Sequence, residues 1–321
     1  MRILVTGGAG FIGSHLCERL IREGHEVTAM DNFSTGPAKN LSSLEKVESF
    51  KIIDGSILDL GNLELLVQNT DYIFHLAAAV GVFNIVDNPL ASLLTNIRGT
   101  ENVLEVASAT NTPVFITSSS EVYGKNFSDS LKESDDRILG SPTTLRWSYS
   151  EAKAIDESLA YAYFIERKLE TRIVRFFNTV GPRQLGAYGM VLPRFVKFAL
   201  ANEPITIYGN GNQTRCFAHI YDVIDAVIAV AFAENTIGKV INIGNNFEIS
   251  INKLAQKVIS ETGSSSEIIY VPYNEAYGDG FEDMDRRVPN IELINQLVGW
   301  KPQRDLSTII SDISKEMRKN S

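Results

Sequence analysis

The chain has 321 residues, 44% of them hydrophobic and 21% charged, and a formal net charge of −9, which together describe an ordinary folded protein with a sizeable core. The acidic balance argues against a nucleic-acid or anionic-membrane partner, no apolar run is long enough to span a bilayer, and the N-terminus does not resemble a signal peptide. Only Cys17 and Cys216 occur, without a metal-ligand pattern, so the sequence predicts no disulfide framework and no metal site, and it favours core thiols in a reducing, cytoplasmic compartment.

A dinucleotide-binding loop is predicted at the start of the chain. Residues 3–5 are a short β-branched run typical of a buried parallel strand, and residues 15–22 are predicted to form a helix. Between them, Gly7 permits a tight turn, Gly10 lets backbone N–H groups approach a pyrophosphate, and Gly13 lets the helix pack closely on the strand. We expect Phe11 and Ile12, which lie between these glycines, to contact the cofactor as well.

The second predicted strand, over residues 25–30, ends at Asp31 and Asn32. An acidic residue about 20 positions after the glycine loop accepts hydrogen bonds from an adenosine ribose and repels a 2′-phosphate. The sequence therefore favours NAD over NADP, with Asp31 and Asn32 at the adenosine end.

Alternating strands and helices continue to about residue 178. Further strands are predicted over 49–53, 71–76, 114–117 and 171–175, with helices notably over 93–109 and 151–167. This alternation predicts an α/β fold, a Rossmann-type doubly wound parallel sheet covered on both faces. After residue 178 the pattern changes to a helix over 191–201, a strand over 205–208 and a helix over 222–233. We therefore expect an NAD-binding domain over 1–178, to which some later segments return, and a smaller, partly discontinuous substrate-binding lobe over 179–321, with the ligand in the cleft between them.

A catalytic set is predicted from a serine cluster and a tyrosine–lysine pair. Residues 118–124 follow a predicted strand and place Ser119 at the carboxyl edge of the sheet. Tyr149 and Lys153 lie four residues apart, on one face of a helix, so we expect the ammonium to lower the pKa of the phenol toward neutrality. Tyr149 is then the base that removes a hydroxyl proton, Lys153 holds the phenolate and the nicotinamide ribose, and Ser119 hydrogen-bonds the reacting oxygen. Asn96 is a further candidate cofactor contact.

Taken together, these motifs resemble the extended short-chain dehydrogenase/reductase family over essentially the whole chain. The resemblance is carried by residues 6–13, Asp31, 75–78, Asn96, 118–124, 149–153 and 177–183. It implies a tightly bound NAD, a nucleotide-diphosphate sugar as substrate, oxidation of the sugar at C4, further chemistry on the 4-keto intermediate, and a homodimer. One departure is the run Asp-Gly-Ser-Ile over 54–57, where many relatives have Gly-Asp-Ile, so no adenine contact is assigned there.

Local features discriminate among the family's reactions. Ser120 stands where dTDP-glucose 4,6-dehydratases have an acidic Asp, whereas Glu121 resembles UDP-glucuronate decarboxylases and GDP-mannose dehydratases and is usually missing from simple 4-epimerases. Arg146 resembles the Arg-x-x-Tyr of decarboxylases, where epimerases have Ser-Pro-Tyr, and its guanidinium is suited to a carboxylate or phosphate. Residues 277–289 resemble a segment of the aminoarabinose-pathway decarboxylase, in which the arginine matching Arg287 assists decarboxylation; elsewhere in the superfamily an arginine here grips the diphosphate.

The sequence thus favours decarboxylation of UDP-glucuronate to a UDP-pentose or UDP-4-keto-pentose, with Glu121 donating the proton to C5 if burial raises its pKa. The alternatives are a 4-epimerase of the UDP-glucose 4-epimerase type, then a 4,6-dehydratase, and, outside enzymes, a silent NAD-binding scaffold. The predicted catalytic residues are Ser119, Glu121, Tyr149, Lys153 and Arg287. The predicted substrate contacts are Ser119, Arg146, Asn178, Tyr208, Arg215 and Arg287. His75 ends an apolar strand and is predicted to be a satisfied interior residue rather than a base.

Overall fold

A parallel β-sheet is the framework of the molecule, whose computed structural model describes residues 1–81, 88–184, 186, 190–272, 275, 284 and 286–319. The described strands are β1 (Arg2–Thr6), β2 (Glu26–Asp31), β3 (Phe50–Asp54), β4 (Tyr72–His75), β5 (Val114–Ser119), β6 (Thr171–Phe176), β7 (Thr179–Val180), β8 (Ile205–Tyr208), β9 (Thr214–Cys216), β10 (Ala218–His219), β11 (Val240–Ile243), β12 (Glu248–Ser250) and β13 (Ile268–Val271). The described α-helices are α1 (Phe11–Arg22), α2 (Leu60–Val67), α3 (Pro89–Thr110), α4 (Ser148–Arg167), α5 (Val191–Ala201), α6 (Ile220–Phe232), α7 (Ile251–Thr262), α8 (Glu292–Val298) and α9 (Leu306–Lys319).

The order of the central strands creates a crevice at one edge of the sheet. The strands pair in the order β11-β6-β5-β4-β1-β2-β3, and every pair is parallel. Because β1 pairs with β2 on one side and β4 on the other, the loops that follow β1 and β4 leave the sheet in opposite directions, and such a switch point is where ligands bind in doubly wound sheets. The predicted Rossmann-type fold is confirmed.

The sheet buries apolar side chains on both faces. Alternate residues of β1 separate into two clusters: Ile3 and Val5 pack with Leu16 of α1 and Val227 of α6, whereas Leu4 packs with residues of α3 and α4. This is the period of two that a strand imposes on its side chains. Cys17 and Cys216 were predicted to be thiols packed in the core, and this is confirmed, since both are free and buried.

A further apolar cluster lies in the C-terminal half of the chain. It joins α5, α7 and α9 with β8, through residues such as Val196, Leu254, Ile310 and Ile207. Strand β11, although it comes late in the sequence, joins the central sheet beside β6. The division of the chain near residue 178 stays a prediction. Among the described helices, none combines the length and apolar character needed to cross a membrane.

Four helices begin earlier than predicted. Helix α1 starts at Phe11 rather than residue 15, and helix α6 starts at Ile220 rather than residue 222. Helix α3 starts at Pro89 rather than residue 93, with the proline in the first turn, where its missing N–H is not needed. Helix α4 starts at Ser148 rather than residue 151. Tyr149 therefore lies in the first turn of α4, directly after the short 3-10 turn Leu145–Trp147 that carries Arg146.

Candidate functional site

A cavity of about 750 Å³ opens at the carboxyl ends of β1, β4 and β5. It extends from the turns that follow β2 and β3 to side chains of α5, β8 and β9. The predicted residues that line it are Gly7, Gly10, Phe11, Ile12, Gly13, Asp31, Asn32, Ser119, Glu121, Arg146, Tyr149, Lys153, Asn178, Tyr208, Arg215 and Arg287. Folding thus brings nearly all of the predicted site residues to one cavity, although their individual roles stay predictions.

The glycine loop forms a cradle that side chains would fill. Gly7 has φ +70°, and a Cβ atom there would lie 2.7 Å from the backbone N of Ala77. A Cβ on Gly13 would lie 2.1 Å from the carbonyl oxygen of Gly7. Gly10, the N-cap of α1, makes no side-chain cap hydrogen bond, and Phe11, Ile12 and Gly13 of the first turn line the cavity. The first-turn N–H groups of a helix are donors suited to a phosphate. This geometry fits the pyrophosphate of a dinucleotide.

Asp31 lines the same cavity, at the end where we expect the adenosine. Its carboxylate accepts hydrogen bonds from the backbone N–H of Ala9, at 2.9 Å, and of Phe33, at 2.8 Å. Burial raises the pKa of Asp31, and these backbone bonds act in the opposite direction. The carboxylate is thus fixed between two loops with its side chain in the cavity wall, which suits hydrogen bonds from ribose hydroxyls. Residues 55–58, after β3, line the cavity nearby.

Asn96 hydrogen-bonds a loop that lines the cavity. Its side-chain amide accepts from Ala79 N at 2.7 Å and donates to Ala79 O at 3.2 Å. It is buried and is not among the described residues that line the cavity. Both polar ends of the amide bind one backbone residue, so Asn96 braces residues 77–81, which line the cavity. Its direct contact with the cofactor stays a prediction.

Ser119, Tyr149 and Lys153 meet where β5 ends and α4 begins. The Ser119 hydroxyl lies near the phenol of Tyr149 and acts to lower its pKa. Burial raises the pKa of Tyr149, and Lys153 only partly offsets this, since Glu121 and Asp156 add to the rise. The expected lowering toward neutrality was therefore wrong for the protein without ligands: burial of the phenol outweighs the charge of the ammonium.

Lys153 has a partner that the sequence analysis missed. Its Nζ lies 3.0 Å from Oδ2 of Asp156, and both side chains are buried. Burial by itself lowers the pKa of Lys153, but the carboxylate of Asp156 raises it, with a net rise. The spacing of three residues on one helix was a signal for this pair, because such residues are neighbours on a helix face.

Glu121 is held between two arginines. Its Oε2 lies 2.7 Å from Nη1 of Arg146 and its Oε1 lies 2.8 Å from Nη1 of Arg287. Arg146 also lies over the ring of Trp147, 5.6 Å from its centroid. Burial alone would raise the pKa of Glu121, but the two guanidinium groups together hold it well below its usual range. The expected raised pKa was therefore wrong, because the sequence pattern did not reveal that both arginines converge on this carboxylate.

The remaining predicted substrate contacts line the far end of the cavity. The Asn178 side chain donates to Cys216 O at 3.1 Å, and Arg215 Nη1 donates to Thr214 O at 2.8 Å. The Tyr208 ring is covered by the guanidinium of Arg194, 4.1 Å from the ring centroid. This cation–π contact was not predicted, although it holds the ring that we expected to contact the substrate. In the segment 277–289, residues 277–283 and 285 lie outside the described residues.

His75 is confirmed as an interior residue. Its Nδ1 lies 2.8 Å from Thr6 Oγ1 and its Nε2 lies 3.1 Å from Thr100 Oγ1, so both ring nitrogens are engaged. Burial lowers the pKa of His75 to about 3. The neutral ring links β1 and β4 to α3.

Sequence comparisons show which known proteins this chain resembles. A sequence profile of the family described as GDP-mannose 4,6 dehydratase matches residues 4–313. The chain is 41% identical to the UDP-N-acetyl-alpha-D-glucosaminuronate decarboxylase of Bacillus cytotoxicus, over 94% of this chain and 92% of that protein. It is 35% identical to the UDP-glucuronic acid decarboxylase 1 of Xenopus tropicalis, over 94% of this chain and 68% of that protein.

The fold is also close to a solved epimerase. The UDP-glucuronic acid 4-epimerase from Bacillus cereus, in complex with UDP-glucuronic acid and NAD, superposes with a TM-score of 0.90 at 30% identity, and the comparison covers all of both chains.

Proposed function

We propose, from the premise that this chain belongs to the GDP-mannose 4,6-dehydratase family of extended short-chain dehydrogenases/reductases, that it decarboxylates UDP-glucuronate through a 4-keto intermediate. NAD is its cofactor, and the cradle formed by the glycine loop and Asp31 fits it. The product is a UDP-pentose if the hydride returns to the sugar, or a UDP-4-keto-pentose if it does not.

The observation that carries the proposal is the ion triad of Glu121, Arg146 and Arg287 beside the catalytic tyrosine. Both guanidinium groups line the cavity and bind the same carboxylate. Guanidinium groups placed in this way suit a substrate that carries its own carboxylate, because they can bind that group as well. A neutral hexose presents no such carboxylate to them.

The first chemical step uses the cluster at the end of β5. Tyr149 accepts the proton of the C4 hydroxyl, while Ser119 donates a hydrogen bond to the oxygen that becomes the carbonyl. When bound, NAD supplies the acceptor for the hydride that leaves C4. Lys153 lies on the same helix face as Tyr149, so its positive charge favours the phenolate that this step requires.

The second step follows from the chemistry of the keto acid. Once C4 is a carbonyl, the carboxylate on C5 is in the β position. The C5–carboxylate bond breaks, CO₂ leaves, and the electron pair moves into the carbonyl to give an enolate, which takes a proton at C5 from water in the cavity. Ser119 and Tyr149 stabilise the oxygen on which that charge develops. Because Glu121 is held ionised, its role is to orient Arg146 and Arg287 around the substrate carboxylate rather than to donate a proton to C5.

UDP-N-acetylglucosaminuronate should be assayed beside UDP-glucuronate. The relative from Bacillus cytotoxicus acts, by its name, on a uronate with an N-acetyl group, and it is more similar to this chain than the frog relative. UDP-N-acetylglucosaminuronate presents the same carboxylate and the same C4 hydroxyl to the site. It is therefore the second candidate substrate.

The remaining alternatives differ in what they release. The experiment is to incubate the protein with UDP-glucuronate, UDP-N-acetylglucosaminuronate, UDP-glucose and GDP-mannose and to follow CO₂ and product mass. Release of CO₂ from a uronate supports the proposal, mass-neutral conversion supports an epimerase, and loss of water supports a dehydratase. No turnover of any sugar nucleotide favours a silent scaffold, against which the intact set of Ser119, Tyr149 and Lys153 argues.

We also propose that the protein is a homodimer that uses the outer face of α4. Ile155, Tyr161 and Ile165 on this helix are between 40% and 50% exposed, although they are large apolar side chains. A second copy with the same helix is the partner that such a self-complementary face fits. The two free, buried cysteines support a reducing, cytoplasmic compartment.

A further inference from the structure

Asp156 is a fully buried carboxylate on α4, one helical turn after Lys153. Its Oδ2 lies 3.0 Å from Lys153 Nζ. Among the described residues, its Oδ1 has no hydrogen-bond partner, and the Lys153 ammonium is the single side-chain partner of its Oδ2. A buried ion pair is expensive to desolvate and is often no more stabilising than apolar side chains of the same size. A contribution to folding stability is therefore a weak explanation for the buried carboxylate of Asp156.

We propose that Asp156 is a positioning residue that holds the Lys153 ammonium charged and in place beside Tyr149, and so sets the pH range in which Tyr149 acts as a base. This inference rests on the proposed function, in which Tyr149 removes the proton of the sugar hydroxyl. It assigns to Asp156 no contact with substrate or cofactor.

Other charged and titratable groups around the pair have different partners. They face it from β4, from the turn after β5 and from α4 itself, and they are His75, Glu121 and Glu157. Glu157 receives two hydrogen bonds from Arg175, at 2.9 and 2.7 Å, and one from Ser118 at 2.6 Å. Glu121 is engaged by its two arginines, and His75 is neutral near pH 7. Asp156 is thus the described carboxylate in direct contact with the ammonium.

The sign of its effect follows from the charges. Asp156 raises the pKa of Lys153 and also adds to the rise in the pKa of Tyr149. A neutral residue at position 156 removes both effects. The phenol then ionises at lower pH, and the ammonium also loses its proton at lower pH. Both limbs of the pH profile therefore move in the acid direction.

The test compares Asp156→Asn with Glu157→Gln, a matched control that neutralises the next carboxylate of the same helix. The pH dependence of UDP-glucuronate turnover is measured for each. We expect both limbs to move to lower pH in Asp156→Asn, so that the variant keeps a severalfold larger fraction of its maximal rate on the acid side. Glu157→Gln should move them much less. Unchanged limbs with only a lower maximal rate, or an equal shift in the control, would overturn the proposal.

A second measurement is independent of turnover. The ultraviolet absorbance of tyrosinate is titrated, and the contribution of Tyr149 is taken as the difference from Tyr149→Phe in each background. We expect Tyr149 to ionise at lower pH in Asp156→Asn, and also in Asp156→Ser, which serves if the asparagine variant does not fold. No shift in a folded neutral variant contradicts the inference. A shift in a protein that turns over no sugar nucleotide sustains the role of Asp156 while it removes the proposed function.

Discussion

The ionisable side chains of the cavity work as paired groups rather than as isolated acids and bases. Tyr149 is buried near Lys153, which forms an ion pair with Asp156. Glu121 forms ion pairs with both Arg146 and Arg287. Each partner shifts the pKa of the other in a direction that the bare motif does not give. Substitutions at these residues are therefore expected to change the chemistry of their partners as much as their own.

Glu121→Gln tests the ion triad. Glutamine cannot neutralise the two arginines, so they lose the orientation that holds the substrate carboxylate, and we expect turnover to fall by about 100-fold. The loss should fall mainly on the step after oxidation, so that reduced nicotinamide accumulates in a single turnover. Absorbance of the reduced cofactor and CO₂ release are followed together.

The matched control is Glu151→Gln, which removes a carboxylate that pairs with Arg137 at 3.2 Å on the exposed side of the same region. It should leave turnover unchanged. Wild-type rates in Glu121→Gln would remove Glu121 from the mechanism. Loss of one partner from a largely buried ion pair costs about 3–5 kcal/mol in unfolding free energy, so Glu121→Gln is expected to be less stable than the native protein. Thermal unfolding of both variants therefore checks that each is folded under the assay conditions.

At the scale of elements, the strand–loop–helix unit at the N-terminus depends on close backbone contacts between its glycines. The carbonyl of Gly7 accepts from Gly10 N at 3.1 Å, and the same oxygen faces Gly13 across the turn. The position of α1 relative to β1 depends on this close contact between Gly7 and Gly13. The placement of the first-turn N–H groups of α1, which are suited to the cofactor's phosphates, depends in turn on the position of α1. The unit therefore couples local backbone geometry to cofactor affinity.

Gly13→Ala is expected to break this approach. The added methyl group would stand 2.1 Å from Gly7 O and 2.9 Å from Gly8 Cα, so α1 must move, at a cost of about 1–3 kcal/mol in unfolding free energy. NAD titration should show weaker binding. Gly61→Ala is the control, because its Cβ would lie no nearer to the described residues than 3.7 Å, from Asp59 Oδ1, and it should keep native affinity. Unchanged stability and NAD affinity in Gly13→Ala would show that the loop is not held as described.

Local patterns predicted the elements well, and long-range contacts were beyond them. The boundaries of α5 and β8 were predicted to the residue, since apolar periodicity and turn residues are read within a short window. The sequence also brought Ser119, Tyr149 and Lys153 together correctly. The sign of the Glu121 pKa was missed because its partner Arg287 lies 166 residues away. The contact of Asn96 with Ala79 was not predicted, because Ala79 lies in a loop without a pattern.

At the scale of the whole molecule, buried histidines make the fold sensitive to acid. Burial lowers the pKa of His75 to about 3 and that of His15 to about 4, from an ordinary value of 6.5. Below pH 6.5 the unfolded chain binds protons that the folded protein refuses, so the free energy of unfolding falls as the pH falls. The loss should reach up to about 1.4 kcal/mol per pH unit for each histidine. Urea unfolding at pH 6.5 and 5.5 measures it, and equal stability at both would contradict the burial of these rings.

The proposed dimer is tested by charge on the outer face of α4. Ile165→Glu places a carboxylate on the expected interface, and we expect a native dimer to dissociate into folded monomers in light scattering with size-exclusion chromatography. Leu65→Glu is the control, because Leu65 is 68% exposed on α2, away from that face. A native chain that is already monomeric, or a dimer unaffected by Ile165→Glu, would place the interface elsewhere or remove it.

The central claim is that Tyr149 starts a reaction that ends in loss of the sugar carboxylate, and the product of UDP-glucuronate tests it most directly. With NAD present, we expect the native protein to release one CO₂ per UDP-glucuronate consumed and to form a UDP-pentose or its 4-keto form. Tyr149→Phe should form neither while it still binds NAD. A UDP-hexuronate of unchanged mass as the product, or full activity in Tyr149→Phe, would contradict this account.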